Sequence, residues 1–168
     1  MIIIIIYTIF SFLIDAIMSN FVNTLMINPS YFRTIYSVIS LVIIYNYFDN
    51  DNKYLKILVI LGILFDIVYT NTFLLNVFIF LVIYFIIRGI NNYIPNNLFT
   101  INIKSLLAIM TYHVLSFLIL LLAHYESYTV NHLFLILTRS IIMTVIYTSA
   151  SYLLIREIYY NKYHKKIK

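Results

Sequence analysis

The residues that could do chemistry are few, and most lie inside apolar runs. Asp66 closes Gly62-Ile63-Leu64-Phe65-Asp66 within a stretch made otherwise of Ile, Leu, Val and Phe. A carboxyl at the centre of a bilayer costs about 2.5–3.5 kcal/mol on the insertion scale, so such a residue normally faces protein or water. Helical spacing places Asp66 on one face with Gly62, Tyr69 and Phe73, a face with one close-packing site, one acid and two aromatics. Asp15 belongs to a second set: Thr8, Ser11, Asp15, Ser19 and Asn23 follow 3-4-4-4 spacing, which lines them up as a helix–helix contact. Arg139 precedes a third polar stripe, Ser140, Thr144, Tyr147 and Ser151. His113 stands near the middle of another apolar run, where it serves either as a proton relay or ligand contact, or as a hydrogen-bonded packing residue.

Depth along the helices suggests a pairing among these charges. At 1.5 Å per residue, Asp15 falls roughly 20 Å into a span entering near Ile2, about 10 Å from the far edge of the hydrocarbon core. Arg139 falls about 9 Å below that same edge and Asp66 roughly 6 Å below it. Three ionisable groups in one layer predict that Arg139 pairs with Asp66, with Asp15, or with both. Snorkelling of Arg139 to the headgroups is the alternative.

The elements that must position these residues are helices in lipid. The chain has 168 residues, 63% of them hydrophobic and 10% charged, with a mean hydropathy of +0.96. A water-soluble domain carries about 25% charged residues, so too few are present to cover a surface in water. Helices satisfy their own backbone hydrogen bonds and so can cross a bilayer, and the runs are too continuous for the alternation of a membrane barrel. Spans are expected at about 2–26, 32–48, 57–70, 73–88, 105–123 and 133–155. The first lacks a basic leader and a cleavage pattern, which reads as a retained span. Pro29 breaks the helix after it. The segment 49–56 reads as a solvated loop, the turn at 70–72 as a tight antiparallel connection, and 89–104 as the longest polar linker. The domain division is 1–156 transmembrane and 157–168 a basic cytoplasmic tail.

Charge placement sets the orientation. Lys53, Lys56, Arg88, Lys104 and the cations of the tail share one side, while the other holds Arg33. The positive-inside rule then puts both ends in the cytoplasm. The tail is read as topogenic charge, with anionic lipid or an acidic partner as the alternative. The cations form no patch on one face, so no nucleic-acid partner is expected. Cysteine is absent, which excludes disulfides and thiolate metal sites. There is no H-E-x-x-H, no glycine-rich phosphate loop and no Ser/His/Asp arrangement, so no catalytic, metal or cofactor site is assigned.

The order of features resembles the rod shape-determining MreD family. The likeness rests on Pro29 and an aromatic opening the second span, on Gly62, Leu64 and Asp66 closing the third, and on Thr72 in the tight turn. A long fourth span and the exit Leu153-Leu154-Ile155-Arg156 complete it. Members usually carry a glycine soon after the turn, where this chain has Leu74 or Leu75. The resemblance implies an all-α polytopic membrane protein, about six helices in one bundle, with the overall fold of energy-coupling-factor transporter substrate-binding subunits. It implies a non-enzymatic scaffold of the cell-elongation complex, controlling peptidoglycan synthesis and cell shape. The partners implied are a membrane-anchored MreC-like protein and, directly or indirectly, an MreB-like actin homologue and the elongation glycosyltransferase and transpeptidase. The alternative is a vitamin-type small-molecule-binding subunit of a transporter.

Overall fold

A computed structural model describes residues 2–25, 34–48, 50–70, 72–123 and 129–164. Among them are six α-helices: α1 (Ile2–Leu25), α2 (Tyr36–Tyr45), α3 (Asp51–Phe65), α4 (Leu75–Asn91), α5 (Leu98–Leu122) and α6 (Val130–His164). A π-helical turn, Asp66–Thr70, extends α3. The described residues form no strand, so the chain is all-α. Two helices are long and apolar enough to cross a membrane, Leu98–Leu122 and Val130–Tyr159, while Tyr36–Tyr45 and Leu75–Asn91 are apolar but shorter.

The bundle is organised around α2. Every residue from Tyr36 to Ile44 is buried, as expected for a helix that is apolar all round. It packs against α1, α4, α5 and α6, and α3 pairs with α4 and α5 with α6. The sequence alone points to the Asp66 face as the centre, and the structure places α2 there. The Asp66 face supplies a joint between α3 and α4, since α3 buries only Tyr54, Leu58, Leu61, Gly62 and Phe65 while Ile60, Ile63 and Leu64 point outward. Tyr54 of α3 reaches the centre from outside, donating its hydroxyl to the Leu41 carbonyl at 3.2 Å. Edge-to-face rings run from Phe12 to Phe65, from Phe65 to Phe80 and from Phe65 to Tyr112, linking α1, α3, α4 and α5.

Several expected boundaries move. The presumed loop at 51–56 is the first part of α3, because Asn50 caps it by accepting the Asn52 N–H at 2.8 Å. The long linker shrinks because α5 begins at Leu98 with a capping box between Asn97 and Thr100. This brings Lys104 into α5, where it is buried. The helix of the sixth span continues past Arg156 to His164, so the 157–168 tail starts as helix. Pro29 lies outside the described residues.

Candidate functional site

α2 and α4 share a local defect and a common remedy. The first N–H groups of any helix have no partner within it, and a side chain at the N-cap normally supplies one. The N-cap of α2 is Ile35 and that of α4 is Leu74, and neither gives a side-chain cap. In both cases an aspartate on the preceding helix does the capping.

Asp15 of α1 accepts the Tyr36 N–H on Oδ1 and the Ser37 N–H on Oδ2, each at 2.8 Å. It also accepts the Ser37 hydroxyl. The carboxylate therefore sits where the dipole of α2 is positive, a favourable place for an anion. Further along the same face, Ser11 bonds Tyr147 Oη of α6 at 2.8 Å. The stripe read as a helix–helix contact is one at Ser11 and Asp15. The side chains of Ser19 and Asn23 lie outside the described residues.

Asp66 does the same for α4. Its Oδ1 accepts the Asn76 N–H at 3.0 Å, Asn76 Nδ2 at 2.8 Å and the Thr72 hydroxyl at 2.6 Å, and Thr70 Oγ1 lies 3.4 Å away. Asn76 passes the network on by accepting the Tyr112 hydroxyl of α5 at 2.8 Å. Asp66 is only 2% exposed, and its Oδ2 is buried without a hydrogen bond.

Gly62 lies one helical turn before Asp66 against α4. A Cβ there would stand 2.8 Å from Val77 Cα and 2.8 Å from Val77 Cγ2, so only glycine admits this approach. Gly62 and Asp66 thus form one joint, the first setting how closely α3 and α4 pack and the second starting α4. Of the two aromatics expected on their face, Tyr69 packs inward, donating to the Phe12 carbonyl at 2.7 Å. Phe73 does not; it is 88% exposed, because the π turn at 66–70 and the break before Leu75 interrupt the helical register.

Among the described residues no ion pair joins Arg139 to Asp66 or to Asp15. Asp15 and Asp66 take their hydrogen bonds from backbone and neutral side chains, and among the described residues the ion pair formed is Arg88–Asp51 at 3.4 Å. Depth alone put the three charges in one layer, but the orphan N–H groups of α2 and α4 lie nearer to the carboxylates. Arg139 is half-buried on α6, next to Ser140 and Thr144, which hold Thr34 at 3.0 and 3.2 Å.

His113 of α5 borders a cavity of about 400 Å³ beside the Asp66 joint. Thr70, Thr72, Tyr112 and Ser116 give that cavity its polar wall, and Leu75, Phe117, Leu120 and Ile136 are among its apolar lining. The imidazole meets the Tyr112 ring edge-on at 5.8 Å between centroids. At the other end of α4, Lys104 Nζ donates to the amide oxygens of Asn91 and Asn96. Asn91 in turn donates to Asn46 Oδ1 at 3.0 Å, so this knot ties the ends of α2, α4 and α5.

Sequence reading missed Asn76, Tyr112 and Lys104 as members of these networks. The aliphatic residues Ile35 and Leu74 at helix starts were the available signal, since each leaves N–H groups that something else must satisfy. No family model, curated protein or solved structure matches the chain.

Proposed function

We propose that the chain is a non-enzymatic scaffold subunit of the MreD type. In this reading it crosses the bacterial cytoplasmic membrane six times, with both ends inside, and holds an MreC-like partner during lateral cell-wall synthesis. The observation that carries the reading is the convergence of Gly62, Asp66 and Thr72, residues on which the resemblance rests, in one interhelical joint. Their chemistry goes into fixing how α3 meets α4, so these residues are used in holding the bundle's shape. Outward side chains support a lipid surroundings: Ile6, Phe10, Leu122, Phe134, Ile142 and Leu154 are all well exposed. Water-soluble monomers rarely leave apolar surface on that scale.

Depletion in the native host should round or swell the cells, and the purified protein should bring down an MreC-like partner. Recovery of an ATPase-linked partner instead would favour the transporter subunit. Reporter fusions after Asn52, Asn97 and Lys168 should report cytoplasm, and one after Glu126 the outside. An external reporter at Lys168 would refute the topology.

A further inference from the structure

The cavity beside the Asp66 joint has a wall whose hydrogen-bonding character is set by the joint itself. Thr72 has one hydroxyl proton, and it goes to Asp66 Oδ1 at 2.6 Å. The 2.6 Å contact between Thr70 and Thr72 is therefore donated by Thr70. Tyr112 spends its proton on Asn76 Oδ1 at 2.8 Å. All three residues line the cavity; Thr70 also accepts Asn76 Nδ2 at 3.0 Å and Thr72 accepts Thr70, so each of these oxygens keeps a lone pair but no proton for whatever enters. Behind them lies the Asp66 carboxylate, with Oδ2 buried and lacking a hydrogen bond. Among the described residues no cation is within ion-pair distance of it. Ser116 and His113 complete the polar lining, and the three acceptors in front of the buried negative charge select a ligand that brings donors and positive charge to that end.

The rest of the lining suits an apolar body. Leu75, Leu120 and Ile136 are aliphatic, and Tyr112 and Phe117 add rings able to attract a cation through their faces. A volume of about 400 Å³ falls within the range of about 300–1,000 Å³ typical of small-molecule sites.

We propose that this cavity binds a small organic ammonium, with N–H donors at one end and an aryl or alkyl body at the other. The head would lie at the Thr70, Thr72 and Tyr112 hydroxyls and the body between α5 and α6. Such a ligand would touch the π turn, α4, α5 and α6 together, and its binding does not depend on which protein partner the chain has.

The full chain in lipid nanodiscs should be titrated with three probes that differ only in their head: phenethylammonium, phenethyl alcohol and phenylacetate. Phenethylammonium should bind saturably, about tenfold or more tighter than the alcohol, a gap worth about 1.4 kcal/mol, and phenylacetate should not bind. Leu120→Trp fills the apolar end without touching the joint and should abolish binding. Asp66→Asn should bring the ammonium down to the affinity of the alcohol. Should that variant not fold, the probe series and Leu120→Trp decide the matter alone. Absence of saturable phenethylammonium binding, equal binding of phenylacetate, or binding that survives Leu120→Trp would each overturn the proposal.

Discussion

Asp66 accepts the backbone N–H of Asn76 at 3.0 Å and the side-chain amide of the same residue at 2.8 Å. One carboxylate oxygen thus starts α4 and holds the residue that links α4 to Tyr112 of α5. The carboxylate compensates α4 for its uncapped Leu74 start, and the hydrogen bonds offset the cost of burying the acid.

Asp66→Ala should be among the most damaging single substitutions. Hydrogen bonds to charged groups are worth about 1.5–3 kcal/mol each, and the Asn76 backbone N–H and one proton of Asn76 Nδ2 would lose their acceptor, the other Nδ2 proton keeping Thr70. Thermal unfolding of the purified protein in detergent should show a large loss, with Asp66→Asn intermediate. A double-mutant cycle should find Asp66 coupled to Thr72 and uncoupled from Arg139. Rescue of Asp66→Asn by Arg139→Gln would contradict the network described here.

Asp15 is tested through its donors. Ser37→Ala removes one of the three donors to that carboxylate and should cost about 1.5–3 kcal/mol. Asp15→Ala leaves the first turn of α2 uncapped in the centre of the bundle and should cost more than any cap on an exposed helix, where about 1 kcal/mol is usual. Equal effects of the two substitutions in a thermal-melt series would argue against cross-helix capping.

Gly62→Ala places a methyl group against Val77 Cα and Cγ2. Overpacking of this kind costs about 1–3 kcal/mol. Combining it with Val77→Ala removes the contact to Cγ2 but not the contact to Cα, so recovery should be partial. Full recovery in the double mutant would mean that the backbones of α3 and α4 are free to separate.

Leu74 has a φ of +58°, the left-handed region that costs a residue with a Cβ about 1–2 kcal/mol and glycine very little. Leu74→Gly should therefore stabilise the fold by up to about 1 kcal/mol once the greater freedom of glycine in the unfolded chain is counted, and so raise the melting temperature. A lower melting temperature for Leu74→Gly would show that the packing of the leucine side chain outweighs its backbone strain.

Much of the architecture was legible in the residues themselves. Long apolar runs with few charges dictate helices, because only hydrogen bonds made within a segment satisfy a backbone away from water. The i, i+4 relation of Gly62 and Asp66 placed both on the side of α3 that meets α4, and Ser11 and Asp15 on the side of α1 that meets its neighbours. What Asp15 and Asp66 bind was decided only by the tertiary structure. Orphan N–H groups at the starts of α2 and α4 come from chain segments 21 and 10 residues further on, and a carboxylate satisfies whichever donor folding brings nearest. Depth along a helix set Arg139 level with both acids but carried no information on direction around the helix axis. Likewise Phe73 left the Asp66 face because of a π turn that apolar periodicity does not encode. Lys104 reads as a loop cation by neighbourhood, yet the capping box at Asn97 and Thr100 starts α5 early enough to bury it. Short-range spacing determined the helices and their packing faces; the partners of their charges depended on how the helix ends met.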